Sequence, residues 1–181
     1  MADYILTRRA FLIGAASIAT SCALFGPSRT FAMTEKPHPL SLYHTHTGEF
    51  LDLDFHPRLC TPHTLKRIDH FLRDFRTGEV HSIDPELLVV LCVIQQEVGS
   101  SGTYEIISGY RSKTTNAALR KLSSGVAKKS LHMRGRALDI RLSDLETSTL
   151  RDLARSLKFG GVGYYASSDF IHIDTGRVRS W

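Results

Sequence analysis

Residues 41–46 and 49–55 alternate apolar and polar positions on either side of Thr47-Gly48, and this alternation predicts a β-hairpin. Residues 33–39, with two prolines, read as a flexible lead-in to it. Beyond the hairpin the period changes. Thr61 followed by Pro62 is an N-cap with proline at the first helical position, and Leu65, Ile68, Leu72 and Phe75 recur behind it at helical spacing. Asp84-Pro85-Glu86 repeats the device ahead of Leu87, Leu88, Leu91 and Ile94, and the glycines at 99 and 102 stop that helix. The pattern then predicts a short strand over 105–108, a helix over 114–122, a lysine-bearing loop over 125–130 and a strand over 136–142. A last helix over 145–157 is closed by Gly160-Gly161, and 162–165 and 170–174 form a closing pair of strands. Helices first and strands mixed in later define an α+β class with an antiparallel sheet. No repeat or low-complexity tract interrupts it.

The first 32 residues stand apart from this pattern. Arg8-Arg9 followed by Phe11-Leu12 opens an apolar run over 11–25, too short for a comfortable membrane span of about 20 residues. With Thr30-Phe31-Ala32 behind it, the segment reads as a cleaved signal peptide of the twin-arginine type, leaving a domain over 33–181. Twenty-three Lys and Arg against 18 Asp and Glu give the whole chain +5, but Arg8, Arg9, Arg29 and Asp3 leave with the leader, which lowers the charge to +3. That mild bias, without a basic block interleaved with aromatics, speaks against a nucleic-acid partner. A hydrophobic content of 42% over this length suits one globular domain. Cys22 is lost with the leader, so Cys60 and Cys92 remain, either as a disulfide or with Cys92 as a small core residue.

The chemistry concentrates in two strands. Alternation puts Ala137, Asp139 and Arg141 on one face of the first, with Leu138 and Ile140 on the other. A buried carboxylate at 139 needs a partner. In the second, Ile171 and Ile173 fill one face, so His172 shares the opposite face with Asp174. If the strands are neighbours, His132, Asp139 and His172 converge. Two imidazoles and a carboxylate hold zinc with a fourth position open. Spacing alone also allows a plainer arrangement, in which the histidines are hydrogen-bonded core residues and Asp139 pairs with Arg136 or Arg141. His44-x-His46 reads as surface, and Lys128-Lys129 as a solvated loop or one facing an anionic wall strand.

Ser130-x-His132-x-x-Gly135-x-Ala137-x-Asp139 resembles the corresponding motif of the zinc D-Ala-D-Ala peptidases, a family that includes the dipeptidase VanX and shares its fold with the hedgehog signalling domain. The likeness continues through Ser108-Gly109-Tyr110-Arg111-Ser112, the 125–130 and 160–165 segments and His172-Ile173-Asp174-Thr175-Gly176, where the chain looks like periplasmic murein endopeptidases of Gram-negative bacteria. The resemblance implies a hedgehog/D,D-peptidase-like α+β fold, a small antiparallel sheet with helices packed on it. It implies one Zn2+ per chain, held by His132, Asp139 and His172. It implies hydrolysis of peptidoglycan peptide cross-links in the periplasm, in this branch between two diaminopimelate residues. The partners it implies are those cross-links and the twin-arginine export machinery, with no membrane span after cleavage. The general base is Asp169, three residues before the last ligand, or Asp174; Phe170 stands where some relatives carry a second histidine. Arg111 is implied to hold the substrate near the scissile carbonyl or carboxylate. Ser130 either bonds the substrate or shapes the turn, and Tyr110, Tyr164 and Tyr165 are candidates for lining the cleft. The same residues would serve a carboxypeptidase trimming free stem peptides, and the fold alone would serve a non-catalytic wall-binding module.

Overall fold

The computed structural model describes residues 37–56, 58–123 and 125–181; the proposed leader, 1–32, and its twin-arginine signal lie outside them. The predicted hairpin forms as β1 (His38–His44) and β2 (Phe50–Phe55), with Leu40 opposite Leu53 and Leu42 opposite Leu51. β1 begins inside the stretch expected to be a flexible lead-in. Five further strands follow: β3 (Tyr104–Ser108), β4 (Ala137–Leu142), β5 (Gly161–Tyr165), β6 (Phe170–Asp174) and β7 (Arg179–Ser180). They make one sheet in the order β2-β1-β3-β4-β6-β5-β7.

This sheet corrects the expectation of a small antiparallel one. It has seven strands, and β1–β3 and β5–β7 pair in parallel. A parallel pair needs a long crossover, and the chain between β1 and β3 carries two helices, α1 (Pro62–Phe71) and α2 (Glu86–Val98). The other two helices are α3 (Lys113–Leu122) and α4 (Thr147–Leu157).

The Thr61 cap works as the sequence suggests, and Ser112 adds one that the pattern does not single out. Thr61 accepts from the Thr64 N–H at 3.1 Å with Pro62 at the start of α1, and Ser112 accepts from the Thr115 N–H at 3.1 Å at the start of α3. Helix α1 ends at Phe71, so Phe75 lies beyond it. Gly99 ends α2 in the left-handed conformation, at φ 62°.

The two faces of the sheet differ. One carries Leu40, Leu42, Ile106, Leu138, Ile140 and Ile171, all fully buried with Leu87, Leu88, Leu91 and Ile94 of α2; burying each such side chain contributes roughly 1.5–3 kcal/mol. Helix α2 packs on β1, and α4 packs across β4, β5 and β6. The opposite face carries the polar residues of β4 and β6. Cys60 and Cys92 are free thiols, and burial pushes Cys92 up to about 12. Cys92 is thus a small core residue, and the disulfide does not form. Among the described residues no helix is long and apolar enough to cross a membrane.

Candidate metal centre

Strand register assembles the site. Gly163 lies opposite His172, His172 opposite Asp139, and Asp139 opposite Ser108, so these four residues form one row across β5, β6, β4 and β3. Simple alternation would leave Ser108 on the core face with Ile106. A register shift between Ile106 and Ser108 brings Ser108 level with Asp139 instead, as bulges beside functional sites commonly re-aim a side chain.

His132 reaches the row from a 3-10 turn, Leu131–Arg134, that is buried at His132 and ended by Gly135 at φ 64°. A Cβ at Gly135 would run into the Ser82 carbonyl, so both conformation and space call for glycine there.

His132 Nε2 lies 3.2 Å from Asp139 Oδ1 and 3.1 Å from His172 Nδ1, and His172 Nδ1 lies 2.9 Å from the same carboxylate oxygen. The outer ring nitrogens fix the tautomers. His132 Nδ1–H donates to the Gly109 carbonyl at 2.8 Å, and His172 Nε2–H donates to Asp174 Oδ2 at 3.1 Å. In those neutral tautomers both inner nitrogens offer lone pairs toward a carboxylate oxygen. Three electron-rich atoms crowded in this way require a cation among them, and this donor set suits zinc.

The charges respond to the crowding. Burial lowers the His132 pKa. Burial opposes ionisation of Asp139, but the two imidazoles outweigh it and hold the carboxyl well below the usual range. Burial also opposes a charge on His172, but hydrogen bonds to Asp139 and Asp174 raise its pKa. A metal-free site thus draws a proton to the place where a metal ion would sit.

Asp139 does not pair with Arg136 or Arg141. Arg136 bonds Thr175 and Asp84, and Arg141 bonds Glu105 and Asp169. The other oxygen of Asp139 meets Arg111 Nη2 at 3.3 Å, and the same guanidinium reaches Ser108 Oγ at 3.3 Å. Arg111 is set by its loop: the Tyr110 N–H bonds the Leu72 carbonyl at 2.7 Å, and the Ser112 N–H bonds buried Asp74 at 2.8 Å.

The cluster opens onto a cleft of about 420 Å3, whose lining includes Arg111, Lys129, Ser130, Tyr165 and Trp181. Arg111, Ser130 and Tyr165 therefore stand where a substrate would lie. Tyr110 does not: its ring stacks on His81, 4.7 Å between centroids. Tyr164 sits beneath the Arg151 guanidinium.

Neither expected base is free for that task. Asp169 occupies a left-handed turn at φ 50°, with a side chain 64% exposed, and that turn aims its carboxylate at Thr147 (2.6 Å) and Arg141 (3.4 Å) instead of the cluster. Asp174 is wholly enclosed at 0% side-chain exposure. It accepts from His172, from both arms of Arg179 at 3.0 and 2.6 Å, and from the N–H groups of Gly161 and Gly176. Burial opposes its charge, but these donors hold it below the usual carboxylate range. It orients His172, in the way carboxylates behind metal-bound imidazoles do.

Arg179 and Trp181 escaped the sequence reading. A signal was present: Gly161 and Gly163 alternate on the face beside His172, and a Cβ at either would strike these two side chains.

Two imidazoles and a carboxylate, backed by a carbonyl and a second carboxylate, with an arginine on the carboxylate's other oxygen beside an open cleft, define a metallohydrolase-type centre. The family model for peptidoglycan L,D-endopeptidase MepK, in the M15 peptidases, matches residues 32–181, and the chain belongs to this family of peptidoglycan endopeptidases. It is 40% identical over 173 residues to the peptidoglycan L,D-endopeptidase MepK of Escherichia coli strain K12, covering 94% of each chain, and equally so to that of Shigella flexneri. A probable peptidoglycan L,D-endopeptidase MepK of Haemophilus influenzae is 43% identical over 159 residues, 86% of each chain.

Proposed function

We propose that this chain is a zinc-dependent murein endopeptidase that hydrolyses peptidoglycan peptide cross-links between two diaminopimelate residues, acting in the periplasm after twin-arginine export and loss of residues 1–32. The observation that carries the reading is the convergence of His132, Asp139 and His172, whose ligand atoms lie within 4.8 Å of one another at the foot of the cleft.

His132 Nε2, Asp139 Oδ1 and His172 Nδ1 would hold one Zn2+. Bound there, zinc supplies Lewis acidity toward the scissile carbonyl and acidifies water at neutral pH. Gly109 and Asp174 keep the two imidazoles in the tautomers that this requires. Arg111 presents its guanidinium to the carbonyl oxygen as negative charge develops there. Ser130, at the cleft edge, bonds the substrate backbone. Water adds its oxygen to the carbonyl carbon, the C–N bond breaks, and the amine departs with a proton.

The test is incubation of the mature protein with purified cross-linked muropeptides, with and without a chelator. Chelator-sensitive conversion of dimers to monomers supports the reading. Loss of a terminal residue from monomers alone would make the protein a carboxypeptidase, and no product with zinc present would leave a wall-binding module.

A further inference from the structure

Trp181 is half exposed, at 49%, yet it is held from several sides. Its N–H donates to the Val162 carbonyl at 3.3 Å, and its own carbonyl accepts from the Tyr164 N–H at 3.1 Å. Its indole N–H donates to the Tyr165 hydroxyl at 3.2 Å, and Tyr165 is in turn stacked on Phe170. The Arg179 guanidinium lies 4.9 Å from the indole. The indole fills the space left by Gly163, where a Cβ would approach it to 2.6 Å. The ring centroid stands 5.3 Å from that of His172, on the cleft wall.

A tryptophan serving only the core would bury its ring. Here a large, nearly rigid apolar surface is fixed in advance beside the cluster and left facing the cleft, so little ordering remains for a ligand to impose.

We propose that the Trp181 indole is a substrate-contact wall, against which the aliphatic stem of a cross-linking diamino acid packs as its amide enters the cluster. This rests on the endopeptidase reading. Such a stem is a short methylene chain between polar ends, which suits an apolar face bordered by the cations Arg179 and Lys129.

Trp181 is the single tryptophan of the chain, so its emission reports on this wall alone. Rapid mixing of the zinc-loaded protein with cross-linked muropeptide should change that emission before product appears, with an amplitude that is half-maximal near KM and saturates above it. Trp181→Ala should raise KM about tenfold, the loss of roughly one well-packed aromatic contact, with kcat falling much less and zinc content retained. Trp181→Phe should recover most of the affinity. Gly163→Ala, which keeps the tryptophan but displaces its ring, should raise KM in the same direction and serves if Trp181→Ala does not fold. Unchanged emission during turnover, or unchanged KM in these variants, overturns the proposal alone. No wild-type turnover on any cross-link removes the endopeptidase reading, and this inference with it.

Discussion

At the scale of single residues, His172 owes its inner lone pair to a carboxylate two positions along its own strand. Asp174 accepts the Nε2 proton at 3.1 Å and is itself gripped by Arg179. An amide in its place accepts less strongly and can present its N–H2 to the ring. Asp174→Asn should therefore keep the fold but weaken zinc binding about 10- to 100-fold, measured by competition with a coloured chelator. Zinc affinity equal to wild type would show that Asp174 does not orient the ring. The members of the cluster were legible because a spaced motif marks His132 and Asp139 and alternation marks the face of His172. Asp174 was legible as a neighbour on that face but not in its role, since alternation says which side a residue faces and not what it bonds. The offset from His172 points to Asp169. A left-handed turn, invisible to any periodicity, sends it to Thr147.

Elements carry the next layer of precision. The loop between β3 and α3 holds both Arg111 and the Gly109 carbonyl behind His132. It is anchored from outside by Asp74, which accepts from the Ser112 N–H at 2.8 Å and the Arg76 N–H at 2.9 Å. Burial opposes the charge on Asp74, but hydrogen bonds from Thr115, Ser112 and Arg76 outweigh it and hold the pKa down at about 2. An acid with a depressed folded-state pKa contributes stability above its unfolded value, and this contribution is lost as pH falls through the folded one. From 3.8 to about 2, that is about 2 kcal/mol at pH 7. Asp74→Asn should thus be less stable than wild type by about that amount at pH 7, with the gap narrowing to about half at pH 3. Urea midpoints at the two pH values measure it, and a gap that does not depend on pH would exclude a charged anchor. Helices α1 and α2 were legible from their cap residues and apolar spacing. The bulge in β3 and the two-residue β7 were not, because neither is long enough to carry a period. The parallel pairings are not legible for a different reason: alternation marks a strand but not its partner.

For the whole molecule, the division of the sheet into a helix-covered face and a polar face governs stability as well as chemistry. The cluster links β4, β6 and the turn before β4, and in the absence of metal only a proton relieves the crowding of its three electron-rich atoms. Zinc bound to the native state alone stabilises it by mass action, by about 2.7 kcal/mol at a hundredfold excess over Kd. For a domain of this size that corresponds to about 5–10 °C in Tm. Treatment with a chelator should lower the melting temperature by that much, and added zinc should restore it. A melting curve indifferent to both would mean that the cluster holds no metal. The α+β class was legible at this scale, but the size and mixed direction of the sheet were not, since pairings between residues distant in sequence leave no local trace.

The cluster stands on hydrogen-bonded strands and one buried turn, while much of the cleft wall comes from other stretches, from the segment that carries Lys129 and Ser130 and from the one that carries Arg179 and Trp181. Cutting and choosing are therefore carried largely, though not wholly, by different stretches of chain. Arg179 joins the two, since it grips the Asp174 that orients His172, so only the remaining wall positions can change without loosening the cluster. A lineage built on this scaffold can change its diet of cross-links while inheriting its hydrolytic machinery intact.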